Sequence, residues 1–508
     1  MKINHKYIAI VLLLCLSACD IQLPKAPDTS IPPTPTAYGS AKALSDTDYN
    51  ALSPEQKYIV ANKLTGTLYK GIPVNDFFDI SKGLLPLTLK KDEDFLSNMQ
   101  RTLAQPLDKA VRADHLMRVE ERNKFNAQQK PIQYPLAMLY EFSLSWDFLN
   151  RWVAYKLANS ILFSPALEND SVDFTDIQDI NYRLVTMMDA KKSIREIVYD
   201  HVVSEENWRR FRSPEDNVRE MIEVFLGLFD RDKDVIKGAK ACQNWYLTDA
   251  NQRFQLVIGF NENSEMQTVL DTGIVNCYDF YRVLSQHPLL IPRITTVLVN
   301  SFFLGFPAEK NVAIINAIVA ANPTTFQDIF LMMLFSKEYL MNVERPKEFE
   351  ETFFNIASRI YWEPAQWMFP AFADTNSNST FPTMKNMGQA PLTYKLGRFP
   401  EIPQDAIGFG YYHKAVREQL LIDQKTNSLN PDDGGWKSNL IDVRLTGDDF
   451  INYLFLSVVS RQATAEELSG LNALIVEKKN QDKKPEKAML VLDYLSRLSE
   501  TYNFKATK

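Results

Sequence analysis

The spacing of apolar residues along the chain is mostly that of helices. Val60, Leu64 and Leu68 recur at every fourth position behind Ser53-Pro54-Glu55-Gln56. A serine with glutamine three positions on, and proline at the first helical position, is a capping-box start. Ser213-Pro214-Glu215-Asp216 opens a similar pattern that runs to about Phe229. Thr325-Phe326-Gln327-Asp328 opens one with the dense apolar face IFLMMLF, and Thr464-Ala465-Glu466-Glu467 opens another. Pro485 to Tyr502 reads as a final amphipathic helix. Strand signals are confined to RFQLVIGF at 253–260 and LIDVRL at 440–445. The pattern predicts an all-α, mostly helical body with long loops in its second half and little strand.

The pattern changes at both ends of that body. Glu363 to Pro403 is rich in Pro, Asn, Ser, Thr and Gly, and Asn427 to Lys437 reads NSLNPDDGGWK, a turn cluster. The expected organisation is a helical body over 45–362, a loop-rich segment over 363–445, and C-terminal helices over 446–508 packed on the body. Ahead of the body, Lys2, His5 and Lys6 precede the unbroken apolar run Ile8 to Leu14. That run is too short to cross a bilayer as a helix, which takes about 20 residues. Basic, apolar and then small residues form an export signal, here 1–18. From Asp20 to Leu44, Pro24, Pro27, Pro32, Pro33 and Pro35 stand among Thr, Ser and Ala. This composition makes 19–44 an extended tether, rising about 3.1 Å per residue where it is polyproline-like.

The end of the signal, Leu16-Ser17-Ala18-Cys19, resembles the lipobox of bacterial lipoproteins. The resemblance implies diacylation of the Cys19 thiol, cleavage before Cys19 and acylation of the new amine. Several acyl chains on one residue make a stable anchor where a single chain does not. By the same resemblance, Asp20 favours retention at the inner membrane over the outer, with the body facing the periplasm.

The stretch Tyr134 to Phe163 is apolar and aromatic enough to raise the question of a membrane span. Glu141, Asp147, Arg151 and Lys156 interrupt it, and charges near the centre of a span cost about 2.5–3.5 kcal/mol each. A buried helix of the folded body is the better reading. The formal net charge is −7 over 508 residues, and losing 1–18 removes Lys2 and Lys6 but no acid. An acidic body without a long Lys/Arg run has no electrostatic footprint for nucleic acid. Of the four cysteines, Cys15 leaves with the signal and Cys19 takes lipid. Cys242 and Cys277 either pair, as an oxidising compartment permits, or sit apart as buried thiols.

Catalytic motifs are sparse. Asp230-Arg231-Asp232-Lys233-Asp234 begins like a calcium loop, but Val235 and Ala241 stand where glycine and glutamate are needed; it reads as an acidic helix start. No two histidines have zinc-site spacing, and no nucleophile elbow or phosphate loop occurs. His201 and Glu205, with Asp200 and Glu206 beside them, read as solvated surface. No metal or cofactor is expected. Trp362, Trp367 and Trp436 lie in or beside the irregular segments. They either bind a partner or a glycan or pack down on the body. Acid pairs such as Glu350/Glu351 and Asp432/Asp433 would suit a glycosidase only if two carboxyls faced one cleft.

In the second half, MLFSKEYL (333–340), RPKEFEETFFNIASRI (345–360), MGQAPL (387–392) and GGW (434–436) follow in order. This order resembles a family of large secreted, mostly helical bacterial proteins known as domain of unknown function number eighteen hundred. The resemblance implies export and a helical fold, and no reaction. Taken together, the residues favour a lipid-anchored envelope protein that binds a protein partner without catalysis. The alternative is a hydrolase or lyase acting on an envelope polysaccharide or peptidoglycan.

Overall fold

Serine and threonine caps start many of the helices in the computed structural model. It describes residues 41–70, 95–124, 133–160, 163, 174–250, 253–260, 265–359, 445–477 and 484–507, with short strands at 78–79, 85–86, 362–363 and 437–438. Residues 39–508 form one compact unit. Its first part holds helices α1 (Asp46–Asn50), α2 (Pro54–Thr67), α3 (Phe95–Ala104), α4 (Lys109–Lys124), α5 (Gln133–Glu141) and α6 (Trp146–Ala158), with strands β1 (Phe78–Asp79) and β2 (Leu85–Pro86) between α2 and α3. Next come α7 (Phe174–Asp189), α8 (Ile194–Val202), α9 (Glu205–Arg210), α10 (Pro214–Leu226) and α11 (Asp232–Ala241). Two hairpins follow, β3 (Trp245–Ala250) with β4 (Arg253–Ile258) and β5 (Gln267–Val269) with β6 (Thr272–Ile274). Then come α12 (Cys277–Gln286), α13 (Leu290–Phe302), α14 (Ala308–Ala320), α15 (Phe326–Leu334), β7 (Arg345–Pro346) and α16 (Phe349–Arg359). The remaining described elements are β8 (Trp362–Glu363), β9 (Lys437–Ser438), α17 (Gly447–Val459), α18 (Ala465–Glu477), α19 (Lys484–Leu495) and β10 (Asn503–Phe504). The fold is mostly helical, and among the described residues the strands pair as short antiparallel ribbons.

Local chemistry explains the boundaries. Ser53 and Gln56 exchange side-chain and backbone bonds at the start of α2, as Thr325 and Asp328 do at α15. Thr464 and Glu467 do the same ahead of α18. Helix α10 stops at Leu226, three residues before the apolar pattern does, because Gly227 takes a left-handed φ of 69° at its C-cap. The run that opens at Pro485 is also shorter as a helix than its pattern. It leaves the helix after Leu495, makes a 3-10 turn at Ser499–Tyr502, and ends as β10 paired with β7. The strand signal at 253–260 is a strand over Arg253–Ile258, β4, with Gly259 and Phe260 beyond its end. Leu440 to Arg444 lie outside the described residues, and Leu445 is not in a strand.

The core is centred on α2, α6, α15, α16 and α17. Helix α2 was expected to bury one face. Instead Asn62, Lys63, Thr65 and Thr67 are buried along with Val60 and Leu64. Tyr134 to Phe163 is broken at 142–145 into α5 and α6, with Ser145 capping α6. Among the described residues no helix is long and apolar enough to cross a membrane. Three of the four charges that argued against a span are buried in the core: Asp147, Arg151 and Lys156 are all under a tenth exposed, while Glu141 is half-buried.

Candidate partner-binding surface

Two clusters stand out, one of buried charges and one of exposed rings. The first is built around the start of α16. Arg345 makes a two-pronged pair with Glu351, at 2.6 and 2.8 Å, in a site where Glu351 is wholly buried. Glu351 also accepts the Glu348 N–H at 2.8 Å, the return half of a capping arrangement. Lys156 reaches Glu348 at 2.6 Å, and Tyr69 donates to the same oxygen at 2.8 Å. Tyr155 donates to Glu350 at 2.5 Å. Arg345 also bonds the Tyr339 hydroxyl, which shares a 2.7 Å bond with Thr67 on α2. Lys63 donates to the carbonyls of Val343 (2.7 Å) and Tyr339 (3.2 Å). Burial lowers the Lys63 amine to about 7, with the nearby Arg345 charge adding to the effect.

This arrangement answers the question raised by the Glu350/Glu351 pair. The two carboxyls do not face a common cleft. One is committed to Arg345 and a helix start, the other to Tyr155. A buried pair with its remaining lone pairs satisfied holds its elements in place, because removing one partner strands a charge out of water. The cluster joins α2, α6, β7 and α16. The chain's last described residues close it, since Lys347 donates to the Thr501 carbonyl at 2.9 Å and its ammonium lies 5.2 Å over the Phe504 ring. The region is a structural clasp.

The second cluster lies between two cysteines. Cys242 and Cys277 are joined by a disulfide across a sequence separation of 35. Cys242 is the C-cap of α11 and Cys277 the first residue of α12, so the bond closes a loop that holds both hairpins. A two-stranded ribbon alone is marginally stable in water. Here Trp245 anchors it: the ring is buried and meets Trp208 at 5.4 Å, Tyr278 at 4.9 Å and Tyr281 at 5.8 Å. On the acidic start of α11, Asp234 accepts the Leu270 N–H at 3.3 Å, tying the β5–β6 turn to the helix. The stretch that opened like a calcium loop is thus a helix start, with Asp232 and Asp234 in the first turn. Among the described residues there is no group of three or more metal-ligating side chains.

The outside of this module is apolar to an unusual degree. Phe260 is 88% exposed and Met266 68%. Ile236, Tyr246, Ile258 and Tyr278 are exposed as well. Ile258 faces Trp245 across the ribbon, and Tyr246 faces Val257 on its other side. The ribbon therefore shows apolar groups on both faces. Scattered single apolar residues need no explanation, but a concentration of them marks an interaction surface.

Of the residues singled out by sequence, Cys19, Trp367 and Trp436 lie outside the described residues. Trp362 opens β8, which pairs with Lys437–Ser438. His201 is not on a solvated surface: it is 2% exposed, with its ring 4.7 Å from Phe163 and 6.3 Å from Phe225. Burial, with Arg183 and Arg210 nearby, holds it well below the usual histidine range. The hairpin surface was missed by sequence reasoning. A signal existed in the two cysteines enclosing WYLTDA and RFQLVI, separated only by Asn251-Gln252.

No family model matches this chain, and no curated protein and no solved structure matches it either. The ordered patterns at 333–436 therefore carry no family assignment. What they contribute is RPKEFEE, the stretch that builds the buried clasp.

Proposed function

We propose that this chain is a lipid-anchored protein of the bacterial cell envelope, facing the periplasm, that binds a protein partner and performs no chemistry of its own. The carrying observation is the disulfide-closed module at 242–277 and its flank, where Tyr246, Ile258, Phe260 and Tyr278 stand in water. Aromatic side chains supply the largest contact energies at protein interfaces, and a rigid, cross-linked ribbon loses little freedom when it binds. The disulfide also supports export, since such bonds persist in oxidising compartments. The signal ending at Cys19 and the tether after it support anchoring, with Asp20 favouring the inner membrane.

The test is cross-linking in intact cells with the natural anchor kept, followed by mass spectrometry. The expected result is one protein partner in near-equal amount, linked through residues of the 245–278 surface. Cys19→Ala should move the protein from the membrane to the soluble fraction. A preparation carrying lipid on Cys19 that captures no protein would sink the reading and make a glycan screen the next step.

A further inference from the structure

Lys63 on α2 is 1% exposed, and its amine meets an uncommon turn. Past α15 the chain winds as a π turn over Glu338–Asn342, a geometry frequent at functional positions. The Val343 N–H passes over the Tyr339 carbonyl and bonds that of Glu338 at 3.2 Å. Lys63 donates to the Tyr339 carbonyl instead, at 3.2 Å, and to the Val343 carbonyl at 2.7 Å. An α-helical winding would give the Tyr339 carbonyl to the Val343 N–H, so the amine stands in for a backbone donor. Other ties run through the same turn. The Tyr339 hydroxyl bonds Thr67 and Arg345, and the Met341 carbonyl accepts the Thr507 N–H at 2.8 Å.

The number of acceptors fits one protonation state. A neutral amine has two N–H groups and an ammonium three. Among the described residues Lys63 meets two acceptors, both carbonyls, and no carboxylate. An added proton would leave one N–H of a buried cation without an acceptor, which is costly out of water. It would also set a second positive charge beside Arg345. Of the groups that face the amine, Glu351 of α16 is taken by Arg345, and Glu344 favours the ammonium but is outweighed by burial and by Arg345. Helix α17 meets α2 at Asn62 through a backbone carbonyl, and Phe504 lies uncharged against Gly66.

We propose that Lys63 and this turn form a proton-linked latch. The neutral amine holds the Tyr339 and Val343 carbonyls, and the ammonium lets them go. The turn then loosens, and with it the ties of Tyr339 to Arg345 and of Met341 to Thr507. Burial and the Arg345 charge hold the folded amine at about 7, against about 10.4 for a lysine in water. Between those values unfolding takes up a proton, so the latch tightens as the pH rises from neutral. Its use in registering the pH outside the cell rests on the envelope reading; the latch itself does not.

The full-length chain is compared with Lys63→Gln, whose amide keeps two N–H donors and does not titrate, and with Lys63→Met, which has none. Denaturant unfolding is measured between about pH 7.5 and 9.5. The unfolding constant of the parent should fall by up to about tenfold per pH unit more than that of either variant. Lys70 and Lys347, also held at about 7 by burial, contribute alike to all three chains and cancel. Amide exchange at Val343, corrected for its intrinsic pH dependence, is followed alongside. In the parent it should be on the order of tenfold faster at about pH 6 than at about pH 9, and in Lys63→Gln equal at both. Equal slopes in the parent and the variants would overturn the proposal. A parent whose stability stays flat over this range would do so without any variant. So would a difference in slope with no change at Val343, since the amine would then titrate without holding the turn.

Discussion

Around Glu351, charges are buried and paired; around the β3–β4 ribbon, rings stand in water. In the first region Arg345, Lys156, Tyr69 and Tyr155 bond three buried carboxylates. In the second, Phe260 and Tyr246 are exposed on and beside the β3–β4 ribbon. Both regions depend on cross-links, one ionic and one covalent. The first spends its polar groups on holding α2, α6 and α16 together. The second leaves apolar area exposed, which is why we propose it as the surface for association. Conspicuous chemistry thus marks structure in one place, and plain hydrophobic exposure carries the proposed function in the other.

The sharpest way to break this contrast is at the clasp. Glu351→Ala leaves Arg345 buried without its partner, and the loss should be about 3–5 kcal/mol. Denaturant unfolding would show it as a shift in midpoint. Cutting the other cross-link comes next. Replacing Cys242 and Cys277 together by serine should cost about 3–4 kcal/mol for a loop of this length. It should raise proteolysis within 243–276 while leaving the clasp intact. An equal rise in cleavage throughout the chain would show that the two regions are not separable.

The third test is of pH. His201 is held below its ordinary value by burial, so below about pH 6.5 the unfolded chain takes a proton that the folded one refuses. Its contribution is therefore full above pH 6.5 and declines as the pH falls toward the folded value. In His201→Phe, stability measured between pH 7 and 5 should fall less steeply than in the parent. An unchanged slope would place the acid sensitivity elsewhere. The smallest expected effect is at the surface: Phe260→Ser should alter stability by no more than about 0.5 kcal/mol yet reduce partner cross-linking. A large loss of stability instead would show that this ring belongs to the core.

Capping residues made the helix starts at α2, α10, α15 and α18 legible, because a cap is satisfied within four residues. The burial of α2 was not legible. Asn62, Lys63, Thr65 and Thr67 have the polarity of a solvent face, and their partners lie far along the chain. Lys63 bonds Val343 across a separation of 280, and Asn62 bonds Leu456 across 394. His201 misled for a related reason: the acids beside it point away from the ring's surroundings, which are Phe163 and Phe225. The strand β4 was visible as alternation, while β3 was not, since Thr248 and Asp249 interrupt its apolar run. The tryptophans drew attention by residue type, while the exposed rings on and beside the described ribbon are tyrosine and phenylalanine.

One contact bears on how the protein comes into being. Gln56 donates to the Thr507 carbonyl across a separation of 451 residues, and Phe504 lies against Gly66 on the same helix. Helix α2 is among the first elements synthesised, and it waits for almost the whole chain before its surroundings exist. Non-local contacts of this kind slow folding. A nascent chain that cannot close its centre early stays threadable, as the export we propose would require. The same design leaves α2 exposed to chaperones and proteases until residue 507 has arrived, so truncation just short of that point would be read by the cell as a failure to mature.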